Sequence, residues 1–282
     1  MEFTLYDNVH KFYDDVYSFL AADEAKNMLI FGNLLIGREG KDTSDWRDTS
    51  RWVMAAVRNG YGLQTVALMT PPYNITLYGL DLSGISLLAT KLAEAGIDIP
   101  GVVTESWAAE VFAGAYCKAA GKKQQVAMEQ RIYKLDTTPN IPATDARLRN
   151  ATPRDMCFIP YWYEAFYAEG IGLHNSVSAD ISQYNHLADG RTFVLEHKGC
   201  AVSMAQISRR TLNAACISYV YTPPYFRRKG YAGCAVALLS QTCLDTGCVP
   251  VLYTDLANPT SNSIYQKIGY KPIADSLAIS FI

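Results

Sequence analysis

The stretch Ile217-Ser-Tyr-Val-Tyr-Thr-Pro-Pro-Tyr-Phe-Arg-Arg-Lys-Gly-Tyr-Ala-Gly-Cys-Ala-Val-Ala-Leu-Leu-Ser-Gln241 decides how this chain is read. Its β-branched and aromatic opening predicts a strand, the proline pair a turn, and the Ala- and Leu-rich close a helix over about 231–245. A basic, glycine-bearing loop joins them. A loop that feeds a helix N-terminus presents unpaired backbone N–H groups and the positive end of the helix dipole, the physical basis of phosphate binding. Gly230, Ala232 and Gly233 let a bulky phosphate approach the backbone, and Arg227, Arg228 and Lys229 supply positive charge. A diphosphate ligand fits this spot. The nucleotide loop G-x-x-x-x-G-K-[ST] and the dinucleotide loop G-x-G-x-x-G are both absent.

Working outward, a strand at 249–254, a helix at 261–268 and a strand near 277–282 follow. Upstream, Arg191–His197, the Lys198-Gly199 turn and Ala201–Ile207 predict a hairpin, with a third antiparallel strand over 212–221. A strand at 146–149 and a helix at 153–168 precede it, Thr152 serving as cap, Pro153 as first residue and Asp155 in the first turn. Pro160 is expected to kink that helix. A short helix is expected over 179–187.

The first half has a comparable outline. Helices fit 8–20, 23–36, 83–95 and 105–120, and Arg51–Val57 with Leu63–Met69 around Asn59-Gly60 predicts a second hairpin, with a third strand at 73–78. The polar, proline-bearing Asp136-Thr-Thr-Pro-Asn-Ile-Pro-Ala143 suits neither period. The expected organisation is an α/β chain of two related halves, 1–135 and 145–282, with a linker at 136–144, each half a mixed, largely antiparallel sheet flanked by helices.

Bulk properties exclude several classes. Of the 282 residues 49% are hydrophobic and 18% charged, as in an ordinary globular protein. A net charge of −2 gives no field to draw the molecule onto nucleic acid or an anionic membrane. No apolar run reaches the length of a membrane span, and the first residues lack the basic region of a signal peptide, so a cytoplasmic location is expected. The seven cysteines (Cys117, Cys157, Cys200, Cys216, Cys234, Cys243 and Cys248) include no C-x-x-C pair, and His10, His174, His186 and His197 are scattered. Reduced thiols and no metal site are expected. A homodimer stays open.

The spacing Arg227-x-x-Gly230-x-Ala232 resembles the acetyl-coenzyme A loop, Q/R-x-x-G-x-G/A, of the GCN5-related N-acetyltransferase (GNAT) superfamily. Downstream, Asn258-Pro-Thr-Ser261-Asn262-Ser-Ile-Tyr265-Gln-Lys-Ile-Gly269-Tyr270 resembles that family's second signature, N-x-x-A-x-x-L-Y-x-x-x-G-F. Two motifs in the right order carry the resemblance over about 145–282, and the first half resembles the degenerate copy found in two-domain members such as glycine N-acyltransferase-like and mycothiol-synthase-like enzymes.

The resemblance implies acetyl-CoA as co-substrate and an amine as acceptor, with direct acetyl transfer and no metal. Backbone amides from Arg228 through Lys229, Gly230, Tyr231 and Ala232 to Gly233 would cradle the pyrophosphate. The strand edge at Val220, Tyr221 and Thr222 would hydrogen-bond the pantetheine arm. Tyr265 matches the tyrosine that protonates the departing thiolate, against the alternative of packing its helix onto the sheet. Asn258 and Asn262 match cofactor-contacting positions, and either would equally serve as a helix cap. The strand 213–221 has no carboxylate where many members place a glutamate. Glu164, Glu169 and Asp255 are the candidate bases, each also readable as a surface carboxylate. Tyr270 is expected in the core, and Cys234 as packing.

Phe158, Trp162 and Phe166 are spaced as the buried stripe of a helix, which leaves Tyr161, Tyr163 and Tyr167 as candidate acceptor contacts. Besides acetyl transfer, a longer acyl-CoA donor, as in glycine N-acyltransferases, and a non-catalytic acyl-CoA sensor are the alternatives. The string Thr-Pro-Pro-Tyr occurs at both 70–73 and 222–225. Anchoring the halves on their hairpin turns gives an offset of 139 residues, which puts the first copy between the second and third strands and the second at the exit of the third. One cofactor site is therefore expected, since the first half's equivalent loop, Gly79-Leu-Asp-Leu-Ser-Gly84, carries no arginine or lysine.

Overall fold

A computed structural model of the chain describes residues 1–39, 48–170, 187 and 189–282. The described residues contain seven α-helices and twelve strands in a mixed α/β arrangement. They group into two compact units, Met1–Ile132 with Tyr253–Asn258 and Pro272–Ile282, and Tyr133–Leu252 with Pro259–Lys271. The units are not consecutive in sequence. The stretch 136–144, read as a linker, lies inside the second unit, and the last strand packs in the first.

In the first unit β1 (Glu2–Tyr6), β2 (Val53–Asn59), β3 (Gly62–Met69), β4 (Ile75–Gly79), β5 (Gly101–Glu105), β12 (Lys271–Phe281) and β6 (Gln124–Lys134) lie in that spatial order. Strand alternation assigns the two faces. Met54, Ala56, Val66 and Leu68 pack on α1 (Val9–Ala21) and α2 (Met28–Glu39), while Ala55, Val57, Ala67 and Met69 pack on α3 (Leu82–Glu94) and α4 (Ser106–Ala120). Helices cover both faces, so β2 and β3 read as apolar runs.

In the second unit β11 (Val249–Asp255, of which Val249–Leu252 belong to this unit), β10 (Ala214–Tyr221), β9 (Cys200–Arg210), β8 (Thr192–His197) and β7 (Arg147–Asn150) follow in order. The β8–β9 hairpin turns through Lys198 and Gly199, both at positive φ as a two-residue turn of matching twist requires. On one face α6 (Tyr231–Asp245) lays Val236, Ala237, Leu239 and Cys243 on Ala205, Ile207, Ala215 and Ile217. Each large apolar side chain so buried contributes about 1.5–3 kcal/mol. α7 (Pro259–Ile268) adds Ile268 to the same cluster. On the other face α5 (Ile159–Gly170) buries Ile159 and Tyr163.

Three details differ from expectation. The helix read over 153–168 begins as a 3-10 turn, Pro153–Cys157, before α5 starts at Ile159. Pro160, its second residue, needs no N–H there, so it opens the helix instead of kinking it. The α5 stripe is Ile159 and Tyr163, one residue past the expected Phe158 and Trp162, which are half-buried. The first hairpin turns at Gly60 and Tyr61, one residue later than read, which makes the offset between halves 138. Both Thr-Pro-Pro-Tyr copies still fall as expected, one between β3 and β4 and one after β10. The helix expected over 179–187 lies, apart from Leu187, outside the described residues.

Candidate active site

The second unit places the phosphate-type loop between β10 and α6. Arg228 and Gly230 both take left-handed φ, 60° and 81°, and Gly230 is the residue before the helix. No side chain caps α6, and Cys234 is the first residue whose amide reaches a carbonyl, that of Gly230. The amides of Tyr231, Ala232 and Gly233 therefore head the helix with their hydrogen-bonding capacity unspent. A Cβ on Gly230 would meet nothing within 4 Å, so this glycine is required by its φ alone. Gly233 serves differently. A Cβ there would lie 3.3 Å from Ile264 of α7, so its small size lets the two helices approach.

The three basic side chains have separate roles. Arg227 Nε donates to the Thr222 carbonyl at 2.8 Å and Nη2 to Glu169 Oε2 at 2.6 Å, with its guanidinium 5.6 Å from the Tyr221 ring. This residue braces the loop against α5. Both partners are largely exposed, so the ion pair itself contributes about 0–1 kcal/mol. Lys229 lies 5.1 Å from the Tyr225 ring centroid, and Arg228 is exposed on the loop. Tyr231 gives its amide to the helix start, while its hydroxyl bonds His197 Nδ1 at 2.8 Å, whose Nε2 is 2.7 Å from Asp145.

β10 supplies the adjoining edge. It pairs in parallel with β11 only at Ala214–Val249, Ala215–Pro250 and Cys216–Val251, yet it runs on to Tyr221. Just past the last pair, Ser218 Oγ is buried without a hydrogen-bond partner. A hydroxyl left in this way is free to bond a polar ligand or water. Beyond it the β9–β10 register slips between Ser218 and Tyr221, and Tyr219 takes a φ of 53°, a strained conformation for a bulky residue. The bulge turns the Tyr219 ring onto Tyr163 at 4.4 Å and its hydroxyl to Tyr167 at 3.0 Å. Of the edge read as 220–222, the Tyr221 carbonyl already accepts from Ser203 Oγ, and Thr222 Oγ1 is 2.9 Å from the same hydroxyl. On the same strand, the Ser218 side chain is the buried hydroxyl without a partner.

Tyr265 is half-buried on α7, between the rings of Tyr133 and Tyr270. Burial pushes its phenol up to about 12, against an opposing hydrogen bond with Ser261. Asn262 accepts from Tyr133 at 3.0 Å and thereby fastens α7 to the end of β6. Tyr270 is buried, as expected, with its hydroxyl 2.8 Å from Ser240 Oγ.

The candidate bases differ in setting. Glu169 is engaged at both oxygens, by Arg227 and by the Tyr221 hydroxyl at 3.1 Å. Burial, then this bond to Glu169, raises the Tyr221 pKa. Glu164 is exposed on α5. Asp255 accepts from the Ala257 amide at 2.7 Å and, like the exposed Asn258, belongs to the stretch that packs with the first unit. Tyr161 is 69% exposed, Tyr163 is buried with its hydroxyl on Gln206 at 2.5 Å, and Tyr167 is half-buried. Only Tyr161 and Tyr167 therefore face outward in any degree. Arg149 forks onto the buried Asp155 at 2.8 and 2.9 Å and ties the 3-10 turn ahead of α5 to β7. Burial works against the Asp155 carboxylate, but Arg149 and Thr152 outweigh it and hold its pKa below the usual range.

Ser218 and Tyr219 escaped the sequence reading. A serine followed by two tyrosines in the apolar run Ala214–Tyr221 was the available signal. No helix among the described residues is long and apolar enough to cross a membrane.

An uncapped helix behind a basic, left-handed loop, beside a parallel pair that ends early, makes a candidate anion-binding site on a mixed α/β fold. The GNAT acetyltransferase family model matches residues 116–275, more than half of the chain, and the chain belongs to that family of acyltransferases. No curated protein matches it. Among solved structures, a GNAT-family acetyltransferase from Colwellia psychrerythraea superposes with a TM-score of 0.58 at 12% identity, covering 100% of this chain and 99% of its own. A Drosophila protein gives 0.71 at 10% identity, covering 99% and 98%. A GCN5-related N-acetyltransferase from Sphaerobacter thermophilus gives 0.65 at 14%, covering 99% and 95%. At these identities the likeness is one of fold.

Proposed function

We propose that the chain transfers an acetyl group from acetyl-CoA directly to a primary amine of a small molecule, amino acid or peptide. The observation that carries this reading is the uncapped start of α6 behind Arg228 and Gly230, with the orphan hydroxyl of Ser218 on the strand that leads to it. These residues fit a diphosphate and a polar arm. The amides of 231–233 would receive the pyrophosphate, Arg228 and Lys229 would add charge, and Ser218 would bond the arm where β10 leaves β11. When bound, acetyl-CoA supplies the activated thioester.

Tyr265 acts on the departing sulfur. Its phenol, at about 12, is a far weaker acid than an ordinary thiol near 8.5, so it stabilises the thiolate as a hydrogen-bond donor and does not surrender its proton outright. Glu169 is the base in this reading, supported by its hydrogen bond to Tyr221 of the cofactor strand; release from Arg227 is needed before it accepts the amine's proton. Tyr161 and Tyr167 line the acceptor's approach.

The test is CoA-thiol release from acetyl-CoA and from longer acyl-CoA thioesters across a panel of amines. Amine-dependent release, faster with the acetyl donor, is expected. If CoA protects the fold thermally while no amine releases thiol and Tyr265→Phe changes nothing, the chain is a binder and the proposal fails.

A further inference from the structure

Three of the seven thiols gather at the far end of α6, away from the phosphate loop. The helix closes with Gly247 at a φ of 77°, whose amide donates to the Leu244 carbonyl at 2.9 Å, while the Cys248 amide donates to the Cys243 carbonyl at 2.9 Å. This is a Schellman cap, in which the side chains of the third-last helical residue and the second residue past the cap, Thr246, come together. Here both are cysteines, and Cys248 packs on the core cluster that holds Cys243. Covalent lengths and the hydrogen bond together limit their Cα separation to about 6.8 Å, within the span of a disulfide.

The two thiols have unequal surroundings. Cys248 is half-buried, and Arg210 Nη1 lies 3.8 Å from its sulfur, a donor suited to a thiolate. Cys243 is buried, and burial pushes its thiol up to about 11. Cys216, also buried, is raised for the same reason.

We propose that Cys248 and Cys243 form a dithiol that a hydroperoxide oxidises, Cys248 attacking and Cys243 resolving, so that the disulfide staples the cap of α6. The Cys248 thiolate attacks one peroxide oxygen; the O–O bond breaks, an S–O bond forms, and hydroxide leaves. Cys243 sulfur then attacks Cys248 sulfur; the S–S bond forms, the S–O bond breaks, and the departing hydroxide leaves as water with the Cys243 proton. The two sulfurs together give two electrons to the peroxide.

The full-length reduced protein treated with one equivalent of hydrogen peroxide tests this by mass spectrometry. The expected result is a loss of about 2 Da in the tryptic peptide 230–267, reversed by dithiothreitol, with Cys234 still alkylated. Cys243→Ser should trap a sulfenic acid at Cys248, seen as a dimedone adduct. Arg210→Ala should slow thiol loss by about tenfold and Arg210→Lys should retain the rate, if the positive charge stabilises the thiolate. Retention of the loss in Cys248→Ser, or oxidation confined to the exposed Cys157 and Cys200, overturns the proposal.

Discussion

The starts of α3 and α6 show the same strand, loop and helix in two chemical states. At α6 the helix begins behind Gly230 with no side-chain cap. At α3 the residue before the helix is Asp81, whose carboxylate accepts from the Gly84 amide at 2.7 Å. An internal carboxylate therefore sits where an anionic ligand would bind, and it carries the ligand's own sign. The space around it is filled as well, since a Cβ on Gly84 would come within 2.9 Å of Thr65 Oγ1 and one on Gly79 within 2.7 Å of Ile85. The neighbouring parallel strands repeat the contrast. β4 and β5 pair only at Ile75–Val102 and Thr76–Val103, but Thr104 Oγ1 then bonds the Leu77 carbonyl at 2.6 Å and closes the gap. In the second unit the corresponding place holds the orphan hydroxyl of Ser218, whereas the first unit's buried orphans, Thr65 Oγ1 and Asp81 Oδ2, lie in the filled space around Gly84 at the start of α3. A helix N-terminus is open to an anion only where the chain leaves its amides unsatisfied, and at α3 Asp81 already occupies that position.

Transplanting that aspartate should have the largest effect. Gly230→Asp puts a negative charge in front of the open amides of α6, and is expected to weaken CoA binding by about a hundredfold or more in calorimetry, at a stability cost of about 1–2 kcal/mol for a side chain at the left-handed φ of 81°. Next comes Tyr265→Phe, expected to lower kcat by about a hundredfold while CoA affinity is kept. The same variant has a second signature. The folded pKa of Tyr265, about 12, is raised above the unfolded value near 10, so its contribution to stability is complete below about pH 10 and is lost as pH rises towards 12. Denaturant titrations across that window should show a shallower decline for Tyr265→Phe than for the parent. Buried Tyr270 is raised in the same direction and keeps part of the slope in both proteins.

Smaller effects sharpen the contrast from the other side. Asp81→Ala removes a cap and is expected to cost about 1 kcal/mol of stability by chemical denaturation, without creating a CoA site in a loop that has neither the charge nor the space. Arg227→Ala should raise the KM for acetyl-CoA only about threefold, since this arginine braces the loop on exposed Glu169 and leaves the phosphate to the amides. A loss as large as that of Gly230→Asp would show Arg227 to be a direct phosphate ligand.

Local signals made much of this fold legible. Helix α6 was read to its residue limits because an uninterrupted apolar and alanine run follows Gly230, and the β8–β9 hairpin because Lys198-Gly199 separates two apolar alternations. β1 and β5, five residues each, and β6, whose Gln124–Glu129 stretch is almost wholly exposed, went unread because neither length nor alternation marks them. In the candidate site the loop and Tyr265 were visible as spacing. The engagement of Glu169 by Arg227 and Tyr221, the Tyr219 bulge and the Tyr231–His197–Asp145 chain were not, because each depends on partners tens of residues apart. The α5 stripe was misplaced by one residue because Pro160 restarts the helix there.

The most direct measurement is the stoichiometry of CoA binding by isothermal titration calorimetry in the parent, Gly230→Asp and Asp81→Ala proteins. One site per chain, abolished by Gly230→Asp and untouched by Asp81→Ala, is the predicted result. Two sites in the parent, or full binding by Gly230→Asp, would contradict the account.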